Sequence, residues 1–138
     1  MKRKSLLVLL LTLVFLLGAC DKEHDPLLEY QALMLQASQD ATQLAASLDL
    51  GKTGKELEKG RKLVKAGKEK MDKAFGKLKI TDDAVREAAD ELYYSYGKFT
   101  EALLEEKDGE ERGRLQEEHW DKLSKFLRLL EEKVYTAR

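Results

Sequence analysis

The sequence predicts an all-α protein that folds as an antiparallel up-down four-helix bundle. In four successive segments, apolar residues recur at spacings of three and four, which is the period of an amphipathic helix. Residues that start or stop helices stand between these segments, and no stretch of useful length alternates apolar and polar residues as a half-buried strand does. Because the joints between segments are short, neighbouring helices should run antiparallel.

The first predicted helix begins at Asp25-Pro26. An aspartate at the N-cap accepts a hydrogen bond from a free backbone N–H, and proline suits the first helical position because no N–H is needed there. Gly51 is a fitting stop, since glycine readily adopts the left-handed conformation that ends many helices. The apolar stripe of this helix comprises Leu27, Tyr30, Met34, Ala37, Ala41, Leu44 and Leu48.

A capping-box pattern predicts the start of the second helix, with Thr53 at the N-cap and Glu56 three residues later. Two glycines fall on its apolar stripe, where each costs about 1 kcal/mol relative to alanine. We therefore expect this helix to be the least stable of the four. Its stripe comprises Leu57, Gly60, Val64, Gly67, Met71, Ala74 and Leu78.

Besides a frayed or mobile helix, the glycines on this stripe allow two interpretations. In the first, a neighbouring helix approaches closely, or a bulky side chain such as Trp120 or Phe99 fills the space beside them. In the second, the missing side chains leave a groove for an apolar ligand or a partner helix. The residues that would border this candidate groove are Gly60, Gly67 and Met71.

The third helix is predicted to begin just after Ile80. Thr81 can serve as its N-cap, the two aspartates that follow favour the positive end of a helix, and Ile80 can pack on Val85 as a hydrophobic staple. Positions two apart on a helix point about 200° apart, so Tyr94 should face outward if Tyr96 is in the core. The apolar stripe comprises Val85, Ala88, Leu92, Tyr96, Phe99 and Leu103.

The fourth helix has a capping pattern at Asp108 and Glu111, and Gly109 and Gly113 loosen the joint before it. Its apolar stripe comprises Trp120, Leu123, Leu127, Leu130, Val134 and Ala137. If the chain stayed helical through this joint, the third and fourth segments would fuse into one long helix. A three-helix bundle with a long last helix is therefore the alternative fold.

Positive charge is concentrated in the second helix. Residues 52–79 hold 11 basic residues against four acidic ones, whereas residues 21–51 and 82–109 are net acidic. One interpretation is that this basic helix pairs with acidic helices on either side. The other is a cationic face for anionic lipid headgroups or an acidic wall polymer, because lysines are attracted to charged membranes. The lysines of this candidate contact surface are Lys55, Lys59, Lys62, Lys65, Lys70 and Lys73.

The N-terminus has the pattern of an export signal. A basic head, Lys2-Arg3-Lys4, precedes an apolar run of 12 residues from Leu6 to Leu17. This run is well short of the ~20 residues that span a bilayer. Small residues follow, and then Cys20, the only cysteine of the chain. The sequence Leu17-Gly18-Ala19-Cys20 resembles the lipobox of bacterial lipoprotein precursors.

The resemblance implies cleavage between Ala19 and Cys20 and a diacylglyceryl group on the thiol of Cys20. Residues 1–19 are then a cleaved signal peptide, residues 20–25 a lipidated tether and residues 26–138 the bundle domain. Two acyl chains give a stable anchor, which places the mature protein on the extracytoplasmic face of the cell membrane. Asp21 is similar to the inner-membrane retention mark of lipoproteins in many double-membraned bacteria.

Three other interpretations of the N-terminus stay open. They are an uncleaved membrane anchor, an ordinary secretory signal followed by a free cysteine, and a cytoplasmic protein with an apolar start. Each accounts for fewer of the four features that agree in a lipobox: the basic head, the apolar run, the small pair and the lone cysteine.

The sequence predicts no catalytic, metal or cofactor site apart from the lipid on Cys20. The histidines His24 and His119 are far apart in sequence, no serine stands in a nucleophile elbow, and no phosphate loop occurs. After the signal is removed, 22 basic and 26 acidic residues remain, a balance that does not indicate nucleic-acid binding. We expect a non-enzymatic module that contacts the membrane and an envelope protein or an anionic envelope polymer. The alternative is a carrier or sensor of a small apolar ligand in the bundle core.

Overall fold

In the computed structural model, residues 25–135 are described, and they form an up-down bundle of four α-helices with no strand in that range. The helices are α1 (Pro26–Asp49), α2 (Lys55–Gly76), α3 (Asp83–Leu104) and α4 (Gly109–Leu130), and a π-helical turn (Glu131–Tyr135) follows α4. The chain leaves the helix between α3 and α4. The four-helix bundle is thus confirmed over the three-helix alternative, while the predicted signal peptide and Cys20 lie outside the described residues.

Both ends of α1 follow the prediction. The carboxylate of Asp25 accepts a hydrogen bond from the N–H of Leu27 at 3.0 Å. At the other end Gly51 has a φ of +69°, and the N–H of Lys52 donates to the carbonyl of Ser47 at 3.0 Å. This is a Schellman motif, in which the left-handed glycine lets the chain satisfy the last free carbonyls of the helix.

The predicted capping box of α2 is wrong. The N-cap is Gly54, with a φ of +77°, and no side chain caps this helix end. Thr53 lies one residue too early, because α2 begins at Lys55 rather than at the residue after the threonine. The left-handed turn at Gly54 thus sets the start of α2, and its first N–H groups have no side-chain acceptor.

The N-cap of α3 is one residue later than predicted, and that of α4 is as predicted. Asp82, not Thr81, accepts from the N–H of Val85 at 3.0 Å. A carboxylate at this place is a stronger acceptor than a hydroxyl and also favours the positive end of the helix. Asp108 accepts from the N–H of Glu111 at 2.9 Å.

Two antiparallel hairpins, α1–α2 and α3–α4, pack against each other to make the core. The core divides into two clusters along the bundle axis, and the buried Ser38 and His119 lie between them. The cluster at the end where α1 begins comprises Tyr30, Met34, Ala37, Met71, Val85, Ala88, Ala89, Leu92, Tyr96, Leu123, Phe126 and Leu130. The cluster at the other end comprises Ala41, Leu44, Ala45, Val64, Phe99, Ala102, Leu103 and Leu115.

The inner face of α4 is rotated from the prediction. Trp120 and Leu127 are only half-buried, and Trp120 instead donates its indole N–H to the hydroxyl of Thr42 in α1 at 3.1 Å. A buried tryptophan needs a partner for this N–H, which the edge of the core supplies. The buried residues of α4 are Leu115, His119, Leu123, Phe126 and Leu130.

The inner faces of the other helices agree with the predicted stripes. All six residues predicted for α3 are buried, and Tyr94, predicted to face outward, is 68% exposed. Within residues 25–135, no helix combines the length and the apolar character needed to cross a bilayer.

Candidate functional site

The six lysines predicted as a contact surface lie on one side of α2, and we call them the cationic face. At 100° per residue they fall within an arc of about 140°, and from Lys55 to Lys73 they extend about 27 Å along the helix. All six side chains are exposed. The same arc also holds two glutamates, Glu58 and Glu69. Six lysines against two glutamates leave the face with a clear excess of positive charge. The opposite side of α2 carries Val64 and Met71 into the core.

Ion pairs do not neutralise the cationic face. Of its six lysines, only Lys62 forms an ion pair within the described residues, with Glu58 of the same helix at 3.8 Å. Arg61, which lies outside the face, reaches Glu106 in the loop after α3. Between residues 25 and 135, no ion pair joins α2 to α1 or to α3. Internal pairing with acidic helices, the first interpretation of the basic segment, therefore does not account for these lysines.

An apolar side chain and a small one accompany the cationic face. Leu63 is 46% exposed, and Ala66 is also exposed. By helical position, Ala66 lies near the centre of the face and Leu63 at its edge, between Lys59 and Lys70. The surface therefore combines positive charge with limited apolar area.

The glycines of α2 are close contacts for α1. A Cβ added at Gly60 would lie 3.1 Å from Cδ1 of Leu44, and one added at Gly67 would lie 3.5 Å from Cβ of Ala37. Met71 is fully buried in the core. Leu44 and Ala37 of α1, together with the Tyr96 hydroxyl of α3 at 3.5 Å from the Gly67 position, fill the space beside the two glycines, rather than Trp120 or Phe99. Gly60 borders a groove of about 330 Å³ between α1 and α2, whereas Gly67 is half-buried and Met71 is buried.

A hydrogen-bonded pair that the sequence did not predict lies at the centre of the bundle. The hydroxyl of Ser38 in α1 is 2.7 Å from Nε2 of His119 in α4, and both residues are fully buried. The same hydroxyl donates to the carbonyl of Met34 at 2.6 Å. Since the single hydroxyl proton is used there, Nε2 must carry the proton that it shares with Ser38. Nδ1 is then a bare lone pair, buried with no hydrogen-bond partner.

Burial dominates the chemistry of this histidine. The rings of Tyr96 and Phe99 lie 5.7 and 5.8 Å from the His119 ring, centre to centre. Removal from water lowers the pKa of His119 to about 4, because the imidazolium has no solvent and no acid beside it. A serine beside a histidine is an arrangement that some hydrolases use, but here both side chains are closed off from any substrate. The pair therefore acts in the interior as a structural contact between α1 and α4.

No protein-family model, curated protein or solved structure matches this chain. Its function therefore has to be inferred from the residues themselves. Within the described part of the chain, no three histidine, cysteine, aspartate or glutamate side chains converge in a way that would hold a metal ion.

The Ser38–His119 pair was missed because its members are 81 residues apart and neither belongs to a polar motif. The available signal was the period of the sequence: Leu115, His119, Leu123 and Phe126 follow one another at spacings of three and four. A histidine in such a register indicates a buried ring that needs a hydrogen-bond partner.

Proposed function

We propose that the chain is a lipid-anchored protein of the extracytoplasmic face of a cell membrane, with a four-helix bundle that acts as a non-enzymatic interaction or structural module of the cell envelope. The observation that carries this proposal is Leu17-Gly18-Ala19-Cys20 behind a basic head and a short apolar run. The lipid on Cys20 is the only covalent group that this function needs. If the host has two membranes, Asp21 favours the inner one.

The start of the folded domain is consistent with a membrane tether. The first helix begins at Pro26, six residues after Cys20. Six residues span at most ~20 Å when fully extended. An acylated Cys20 would therefore hold the bundle close to the lipid surface, where the exposed side chains of its helices could reach headgroups or envelope components.

The carrier or sensor of an apolar ligand has less support as a second function. Met71 is packed in the interior, and α1 together with the Tyr96 hydroxyl occupies the space that the glycines leave. The lining of the groove beside Gly60 includes the carboxylates of Asp40 and Glu56. These features suit contact between helices better than storage of an apolar molecule.

Replacing Cys20 tests the anchor directly. Cells expressing the wild-type chain or Cys20→Ser are fed an alkyne-tagged fatty acid and then fractionated. We expect the wild type to carry the tag and to pellet with membranes, and Cys20→Ser to lose the tag and to keep its leader uncleaved. Thr53→Ser, an exposed and conservative change in the α1–α2 loop, is the control and should behave as the wild type. Normal leader removal with membrane retention in Cys20→Ser would refute the proposal.

A further inference from the structure

We propose that the cationic face of α2 lies against the anionic headgroups of the membrane that holds the lipid anchor, so that the bundle lies on its side instead of standing on its tether. This inference rests on the proposed lipid anchor. It assigns a binding partner, anionic phospholipid, to the face formed by Lys55, Lys59, Lys62, Lys65, Lys70 and Lys73.

The charge pattern of the surface supports this partner. None of the six lysines pairs with another helix, so the positive charge faces solvent and is available to an external anion. Helix α3 carries mainly the opposite charge. The exposed charged residues of α3 include Asp83, Glu87, Asp90 and Glu101 against Arg86. An anionic membrane would repel α3 and attract α2, which favours one orientation of the bundle.

The geometry of the first hairpin brings the cationic face within reach of the anchor. The ring of Tyr30, near the start of α1, lies 6.1 Å from that of Phe75, near the end of α2, centre to centre. The Lys73 end of the face is therefore at the same end of the bundle as Pro26. Because the tether from Cys20 to Pro26 spans up to ~20 Å, it allows the whole length of α2 to lie parallel to the membrane.

Leu63 suits a lipid surface better than a soluble polyanion. Its half-exposed side chain stands beside Lys59 and Lys70, so it would enter the boundary between headgroups and acyl chains when the lysines bind. A wall polymer would attract the lysines but would offer nothing apolar for Leu63. We therefore assign the face to lipid, and binding to a soluble polyanion becomes an outcome of the test.

A polarity-sensitive dye on Leu63→Cys reports the contact. Because Cys20 is acylated in the mature protein, the introduced thiol is the only one free for labelling. The lipidated protein is reconstituted in vesicles of neutral phosphatidylcholine or of the same lipid with phosphatidylglycerol. Tyr94→Cys, which is 68% exposed on α3, is the matched position. In anionic vesicles we expect a blue shift and several-fold stronger quenching by brominated acyl chains at position 63 than at position 94. In neutral vesicles the two positions should behave alike.

Charge variants separate electrostatic docking from chance contact. The triple variant Lys59→Glu, Lys70→Glu and Lys73→Glu should lose the signal at position 63, and the corresponding arginine variant should keep it. None of these three lysines has an ion pair in the described residues, so the arginine variant should keep the melting temperature of the wild type. The glutamate variant puts a carboxylate in the last turn of α2, and circular dichroism checks that it stays helical. Salt should also remove the signal, since the Debye length falls from ~10 Å at 0.1 M to ~3 Å at 1 M.

Three outcomes would overturn the inference. Equal quenching at positions 63 and 94 in anionic vesicles would show that α2 does not dock. Lysine-dependent binding of polyphosphate, with position 63 still exposed on anionic vesicles, would assign the face to a soluble polyanion. Failure of the wild-type chain to float with neutral vesicles would refute the anchor itself, together with the docking that depends on it. Flotation with neutral vesicles reports the lipid anchor alone. A failed anchor is therefore distinguishable from a failed docking of α2.

Discussion

His119 shows how one polar side chain can be held in an apolar interior. Its Nε2–H is satisfied by Ser38, but Nδ1 has no partner, so the ring is stable there only in its neutral form. Protonation would place a positive charge between Tyr96 and Phe99 with no counter-ion beside it. The stability of the fold therefore depends on the His119 ring staying unprotonated at Nδ1.

Acid should destabilise the protein through this residue. The pKa of His119 falls from an ordinary value of 6.5 to about 4 in the fold, so the unfolded chain takes up the proton first as the pH is lowered. By linkage, the free energy of unfolding should fall by about 2 kcal/mol between pH 7 and pH 5. Urea denaturation at several pH values measures this loss.

His119→Gln is the matched control for the acid effect. Glutamine can donate to Ser38 but does not titrate, so the pH dependence over this window should become much flatter. If His119→Gln loses as much stability as the wild type between pH 7 and pH 5, other groups are responsible and the assignment is wrong.

Glu106 is a second residue held in an unfavourable state. Its φ is +53°, the left-handed region that favours glycine, and it stands just after α3, where Lys107 N–H donates to the carbonyl of Ala102 at 3.0 Å. Its carboxylate pairs with Arg61 of α2. The residue therefore combines a strained helix end with a link between the two hairpins.

Glycine should be preferred to alanine at position 106. Both Glu106→Gly and Glu106→Ala remove the ion pair, but only alanine keeps a Cβ in the left-handed conformation. We expect Glu106→Gly to be more stable than Glu106→Ala by about 1 kcal/mol in urea denaturation. At Glu105, where φ is −89°, the same two substitutions should not favour glycine. Equal stability of the two variants at position 106 would contradict the helix end described above.

At the scale of elements, α2 differs from the other helices in how little of it is buried. Only Val64 and Met71 are fully enclosed in α2, whereas α3 buries ten residues. Its N-cap, Gly54, has no side chain to accept the first N–H groups. Most of its surface faces solvent, which suits a helix that presents charge to a partner but leaves little packing energy to hold it.

Amide exchange should therefore be fastest in α2. We expect the backbone amides of Lys55–Gly76 to exchange with deuterium sooner than those of α3, because local opening of α2 exposes less apolar area. Mass spectrometry of peptic peptides after timed exchange measures this order. The peptides of α3 are the internal control, and protection of α2 equal to theirs would contradict the prediction.

For the whole molecule, the period of apolar residues was sufficient to predict four antiparallel helices. The stripe of α3 was correct at every position, because nearly all of its apolar residues fall on one face. The stripe of α4 was correct at Leu123 and Leu130 but not at Trp120 and Leu127. Two apolar lines, one through Trp120 and Leu127 and one through Leu115 and Phe126, compete on that helix. Packing against α1 and α3 decides between them, and a single helix considered alone has no such information.

The candidate site was likewise only partly predictable from the sequence. The six lysines of the cationic face could be identified from their spacing, since side chains on one helix keep a fixed angular relation. Whether acidic neighbours would neutralise them depended on which side chains the bundle brings within ion-pair distance. Between residues 25 and 135, ion pairs such as Lys122–Glu91 at 3.1 Å link α3 with α4, and none joins a lysine of the cationic face to another helix.

The sequence by itself determined the helical class, the number of helices and the first and last caps, because each depends on residues close together in the chain. Only the tertiary structure decided that Ser38 and His119 meet, that α1 and the hydroxyl of Tyr96 fill the space beside Gly60 and Gly67, and that no lysine of the cationic face pairs with another helix in the described residues. These outcomes depend on contacts between residues far apart in sequence. Their geometry is fixed when the two hairpins close around a common core.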